Sequence, residues 1–167
     1  MQGVSRIYLD TNIFIMAFER RDETSDRLAQ LLAAGDADAE PRFVTSELTL
    51  SELLVTPYRQ NDDSLIDAYE GLILTSSWLE VLPIVPPTLR YAAVLRSQYG
   101  SLKLPDAIHL STAIGANCSH ILTDDRGIKD EYRLTHQRYG RTAEARPLTI
   151  LRPDEPTLSS LLKSLVE

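Results

Sequence analysis

The stretch Arg6-Ile7-Tyr8-Leu9-Asp10-Thr11-Asn12-Ile13-Phe14-Ile15-Met16-Ala17-Phe18 decides the fold. Arg6 to Leu9 is a short β-prone run that stops at Asp10-Thr11-Asn12. The apolar run Ile13 to Phe18 then opens a helix, with Asn12 in the capping position. A strand that turns directly into a helix leaves an acid, Asp10, at its carboxyl end. The pattern returns at His120 to Thr123, a second β-prone run that ends in Asp124 and Asp125.

Between these two points the chain alternates. Leu28, Leu31 and Leu32 continue the first helical stripe up to Gly35, whose freedom at positive φ suits a helix stop. Phe43 to Thr45 predicts a strand, followed by a helix carrying Leu50, Leu53 and Leu54 that Pro57 bends or ends. Asp62-Asp63-Ser64 supplies cap chemistry for a helix with Leu65, Tyr69, Leu72 and Ile73 on one face. Leu79 to Val85 predicts a strand cut by Pro86-Pro87, and a helix with Tyr91, Val94 and Leu95 runs to Gly100. Pro105 opens the next helix, Asp106 to about Ala116, at a position where proline costs nothing. Leu148 to Leu151 is a fifth strand candidate, and a last helix at about 157–166 carries Leu158, Leu161, Leu162, Leu165 and Val166. Short strands alternating with helices predict an α/β domain around a parallel sheet covered on both faces. In such sheets function sits at the carboxyl ends of the strands.

Composition agrees with one ordinary globular domain over residues 1–167, 43% hydrophobic and 25% charged, with no repeat and no linker. Its expected radius of gyration is about 15 Å, and it needs no metal or disulfide staple. The longest apolar run is far short of the ~20 residues of a membrane span, and residues 1–10 lack a basic-then-apolar leader, so the expectation is a cytoplasmic protein with no membrane partner. The single cysteine, Cys118, reads as a reduced core residue. The net charge of −7 excludes a uniformly basic face that could wrap a nucleic acid. A polyanionic partner would need a bound cation or a local basic patch. One candidate patch is Arg126, Lys129, Arg133, Arg138, Arg141, Arg146 and Arg152, set against Asp130, Glu131 and Glu144; the alternative is a solvated loop and helix face.

Four acids stand out: Asp10 at a strand end, Glu52 off the leucine stripe of its helix, Asp106 in a first helical turn, and Asp125 after the fourth strand. Singly, each has an ordinary reading as a turn former, a helix-dipole partner or a solvated residue. Together they differ, because the first-strand and fourth-strand acids of a doubly wound sheet converge on one crevice. Two carboxylates about 4 Å apart repel by roughly 4 kcal/mol at an effective dielectric near 20, so such a cluster demands a cation or protons. Hard oxygen ligands point to Mg²⁺ or Mn²⁺.

The stretches Tyr8-Leu9-Asp10-Thr11-Asn12, Ser46-Glu47-Leu48-Thr49-Leu50-Ser51-Glu52, Leu104-Pro105-Asp106-Ala107-Ile108-His109-Leu110 and Ile121-Leu122-Thr123-Asp124-Asp125 resemble, in order and spacing, the motifs of PIN domain nucleases, in particular VapC-type ribonuclease toxins. The resemblance runs from residue 6 to about 151. It implies a three-layer α/β/α sandwich with a central parallel sheet of four or five strands, and a metal site of Asp10, Glu52, Asp106 and Asp125. It further implies an Mg²⁺- or Mn²⁺-dependent endoribonuclease that leaves a 5′ phosphate and a 3′ hydroxyl, forms a homodimer and is restrained by an antitoxin protein. Thr11, Asn12 and Thr123 either orient those carboxylates or serve as caps and turns, and Asp124 is an acid behind the metal ligands. Glu47, about 140° around the helix from Glu52, belongs to the first helical turn. His109 is placed in packing or hydrogen bonding, and Arg126 and Lys129 are candidate RNA contacts. Either Leu65/Tyr69/Leu72/Ile73 or Leu158/Leu161/Leu162/Leu165 offers a stripe to a second subunit, unless both are core. The alternatives are a housekeeping nuclease of RNA maturation, a metal-free PIN module acting as an RNA or protein scaffold, and an aspartyl phosphatase. Against the last stands Asn12, where a second Asp is wanted.

Overall fold

The alternation of side chains along each short strand sorts the core into two halves. In the computed structural model, which describes residues 6–34 and 42–166 without the side chains of Leu165 and Val166, Ile7 and Leu9 of β1 (Ile7–Leu9) face one cluster and Tyr8 the other. Phe43 and Val44 of β2 (Phe43–Ser46), Leu122 and Ile121 of β4 (His120–Leu122), and Leu151 and Ile150 of β8 (Leu148–Leu151) divide in the same way. The first cluster takes in Ile13 of α1 (Thr11–Glu19), Leu28 of α2 (Glu23–Ala34), Tyr69 of α5 (Asp63–Leu72) and Leu158 of α8 (Glu155–Val166). The second takes in Leu95 of α6 (Pro86–Gln98) and Leu110 of α7 (Leu104–Gly115). The result is an α/β/α sandwich.

The sheet runs β3-β2-β1-β4-β8-β5, with β3 at Leu79–Leu82 and β5 at Glu131–Tyr132. Five strands are parallel, as expected; β5 is antiparallel to β8, so the sheet is mixed. The chain winds outward from β1 to β3 and then returns to the other side of β1. The order therefore reverses between β1 and β4, where open α/β sheets form their ligand crevice. The register Leu9↔Leu122 sets Asp10 level with Thr123 there, and the Asp10 amide donates to the Leu122 carbonyl at 3.1 Å.

Several local expectations change. The cap of α1 is Asp10, not Asn12. The first helical stripe is two helices, because Asp22 and Ser25 hydrogen-bond reciprocally and start α2 afresh. Gly35 lies outside the described residues. Leu54 ends α3 (Glu47–Leu53), and Pro57 falls in the first turn of α4 (Val55–Gln60), where its missing N–H is harmless. Pro86-Pro87 does not merely cut the preceding strand; it opens α6. Within the basic segment the structure adds β5 and a separate hairpin, β6 (Thr135–Arg138) with β7 (Arg141–Glu144). Among the described side chains, both stripes offered to a second subunit are core: Tyr69, Ile73, Leu158 and Leu161 are buried, with Leu65, Leu72 and Leu162 packed against them, and the Leu165 side chain lies outside the described residues. Among the described residues no helix is long and apolar enough to cross a membrane.

Candidate functional site

Asp10 is held by the turn it starts. Its Oδ1 accepts the Thr11 amide at 2.8 Å, and its Oδ2 accepts the Asn12 side-chain amide at 2.7 Å and the Thr123 hydroxyl at 2.5 Å. Thr123 Oγ1, fully buried, accepts in turn from Asn12 Nδ2 at 3.1 Å and from the Asp125 amide at 3.0 Å. Asn12 Oδ1 accepts the Asp124 amide at 2.9 Å. These bonds tie the carboxyl ends of β1 and β4 into one unit. Asp125 Oδ1 accepts the Gly127 amide at 2.7 Å, and a Cβ at Gly127 would stand 3.1 Å from that oxygen, so a side chain there would crowd the acid.

Glu52, near the end of α3, is reached from two other elements. The Thr11 hydroxyl donates to its Oε2, and His109 Nε2 lies 3.0 Å from the same oxygen and 3.7 Å from Asp10 Oδ1. Both neighbours of Nε2 are acceptors, so that nitrogen carries a proton. Its Nδ1 lies 2.8 Å from the hydroxyl of buried Tyr8, which donates to Ser46 Oγ at 2.8 Å. Burial works to raise the Glu52 carboxyl, but the hydrogen bonds from His109 and Thr11, with the charge of His109, hold it below its ordinary value.

Asp106 sits in the first turn of α7, where the helix dipole favours an acid. Burial, then the charges of Asp125 and Asp10, push its carboxyl above the ordinary range, with Lys103 and His109 opposing. Acids from β1, β4 and α7 therefore bear on one another. Of the two neighbours after β4, Asp125 is the one felt at Asp106; the Asp124 carboxylate stands 3.9 Å from exposed Arg126. Glu47 points elsewhere, accepting the Ile84 amide at 3.3 Å. Hard oxygen donors whose mutual repulsion raises one of them are chemically suited to a small divalent cation. Among the described residues, however, no three acidic, histidine or cysteine side chains stand close enough to enclose one.

Two contributors had no sequence signal. Tyr8 looked like a core strand residue, yet its hydroxyl supports His109 from beneath. Arg152 belonged to the basic patch, but its guanidinium donates to the carbonyls of Thr123 (3.2 Å), Asp125 (2.6 Å) and Ile128 (2.5 Å). It is a brace for the loop that carries Asp125, and only a folded loop turns three carbonyls toward one side chain. Lys129 lies over the Tyr99 ring, 5.6 Å from its centroid.

A family model described as PIN domain matches residues 7–134. Comparison with curated proteins finds no match. Among solved structures, the chain is similar to a toxin-antitoxin complex from Klebsiella pneumoniae, at 25% identity and TM-score 0.53 over 72% of this chain and 93% of that one. It shares its fold with VapBC2 from Rickettsia felis bound to a promoter DNA fragment, at 18% identity and TM-score 0.55 over 71% of this chain and 87% of that one. The same holds for VapC20 of Mycobacterium tuberculosis, a sarcin-ricin loop cleaving toxin, at 15% identity and TM-score 0.57 over 72% and 92%.

Proposed function

This chain belongs to the PIN domain family, and from that premise we propose that it is a divalent-metal-dependent endoribonuclease, the toxin of a toxin-antitoxin pair. One observation supports the reading: Asp10 and Asp125 follow β1 and β4, where the strand order reverses, and their charges add to burial in raising the Asp106 carboxyl of α7. Asp10, Asp106, Asp125 and Glu52 would hold Mg²⁺ or Mn²⁺, which when bound supplies a Lewis acid for a phosphate oxygen and lowers the pKa of a water molecule.

The chain's own residues do the rest. Thr123 and Asn12 fix the Asp10 carboxylate, and Arg152 braces the loop of Asp125. His109 and Thr11 keep Glu52 ionised and oriented. Positive charge in the crevice would offset the repulsion that Asp125 and Asp10 exert on the Asp106 carboxylate. Arg126, 80% exposed on its side chain and 3.9 Å from Asp124, would draw phosphates toward the acids and offset part of the net −7, with Lys129, over the Tyr99 ring, a second candidate contact.

Similarity to a toxin-antitoxin complex supports an antitoxin partner. Exposed Ile15 and Phe18 of α1 with Val55 and Tyr58 of α4 leave apolar surface for a protein, whether an antitoxin or a second copy. A second reading, a metal-free RNA- or protein-binding module, draws on the open spacing of the acids. Incubation of tRNA, rRNA and mRNA with the protein in Mg²⁺, in Mn²⁺ and in EDTA separates them. Cleavage is expected only with metal and is lost in Asp10→Asn; RNA binding without any cleavage leaves the module.

A further inference from the structure

The β6–β7 hairpin lies beyond residue 134, where the family match stops. It is anchored on one side only. Leu134 accepts the Ala145 amide at 3.0 Å, Gln98 donates to the Thr135 carbonyl, and His136 meets the Tyr91 ring edge-on at 5.4 Å. The base of the hairpin, through His136, Ala143 and Glu144, also shares a cavity with Ile114 and Gly115, while every residue of β7 is exposed.

Its tip contradicts the rules of folding in three ways. Tyr139 and Gly140 both have positive φ, 50° and 69°, as a two-residue hairpin turn requires, yet that first position favours Asn or Asp over an aromatic residue. The Tyr139 ring is 87% exposed, the most of any large hydrophobic side chain among the described residues. Arg138 and Arg141 are paired directly across the strands, a like-charge juxtaposition that weakens a hairpin. Among the described residues neither arginine forms an ion pair; Arg138 lies instead against the Tyr139 ring, 4.9 Å from its centroid. Residues 133–146 hold four arginines against one acid in a chain of net charge −7. Choices that cost stability and cluster at one exposed point mark a functional element.

We propose that the hairpin is an accessory arm for single-stranded RNA, Tyr139 stacking on a base while Arg138 and Arg141 contact the flanking phosphates. A planar ring between two cations is the chemistry that holds unpaired nucleotides. A protein partner for so polar a tip would have to be strongly acidic, as this chain already is. The inference rests on the nuclease reading above and adds a contact outside the acidic crevice.

The test uses full-length protein carrying Asp10→Asn, so that RNA stays intact, and a fluorescein-labelled 20-nucleotide single-stranded RNA followed by anisotropy at several salt concentrations. Tyr139→Ser should weaken binding roughly tenfold, while Tyr139→Phe restores it. Arg138→Gln with Arg141→Gln should flatten the slope of log affinity against log salt by about 1.4. If the parent binds RNA and every hairpin variant binds it with the same affinity and slope, the arm is overturned alone and the hairpin becomes a protein-docking element. If the parent binds no RNA and the unmutated chain cleaves none, the arm and the nuclease reading fall together.

Discussion

His109 Nε2 lies 3.0 Å from Glu52 Oε2, joining a buried histidine of α7 to an acid of α3. The same ring reaches Tyr8 of β1 through Nδ1, so three elements meet at one imidazole. Glu52 thereby stays ionised in a half-buried position where burial alone would favour the proton.

Replacing His109 with Phe removes both bonds, leaving the Tyr8 hydroxyl with Ser46 as its remaining partner and Glu52 without its histidine. The expected cost is about 1–3 kcal/mol of unfolding free energy. Adding Tyr8→Phe should recover part of the loss, a non-additivity that urea unfolding of the two single variants and the double variant would expose.

Asp106 carries the opposite sign. Its folded-state carboxyl is raised, so its stabilising protonated form is complete below the ordinary value of 3.8 and is lost as pH rises through the folded value. Asp106→Asn should therefore raise the melting temperature of the metal-free protein at pH 7 and leave it nearly unchanged at about pH 3.5. Calorimetry at the two pH values reads the difference; equal shifts at both would mean that neither burial of the Asp106 carboxylate nor its repulsion by Asp125 and Asp10 is the cause.

Mn²⁺ at a hundred times its dissociation constant should stabilise the wild-type chain by about 2.7 kcal/mol through mass action. Asp10→Asn should lose most of that gain. A melting curve unmoved by millimolar Mn²⁺ in the wild type favours the metal-free module.

Arg152→Ala should loosen the loop after β4 and leave three carbonyls short of a charged donor, lowering stability along with the proposed nuclease activity. Arg152→Lys should rescue little, because one ammonium cannot span the three acceptors that a planar guanidinium reaches. Amide hydrogen exchange at Asp125 and Gly127 reports the loosening directly.

Cys118 is 5% exposed, and burial pushes its thiol up to about 12. Iodoacetamide at pH 8 should label it slowly in the folded protein and rapidly in urea; fast labelling of the native chain would place the thiol nearer the surface.

The fold was legible because its signals are local. Residues 6–18 and 120–125 read as strand, acid-bearing turn and, in the first case, helix. Asp10, Glu52, Asp106 and Asp125 could be named from strand ends, helix turns and motif spacing. Their mutual effect could not, since like charges act through space: that Asp125 and not Asp124 bears on Asp106 depends on how the β4 loop bends over Thr123. The same limit hid the partners of polar groups. Which carbonyls Arg152 would meet, and that Tyr8 would brace His109, were settled by contacts between residues far apart in the chain. The hairpin has no apolar alternation to announce it, and its turn lacks the usual Asn-Gly pair. Periodicity and capping are properties of neighbouring residues, so the sequence determined the elements; hydrogen-bond partners and carboxylate convergence belong to packing, and the tertiary structure alone decided them.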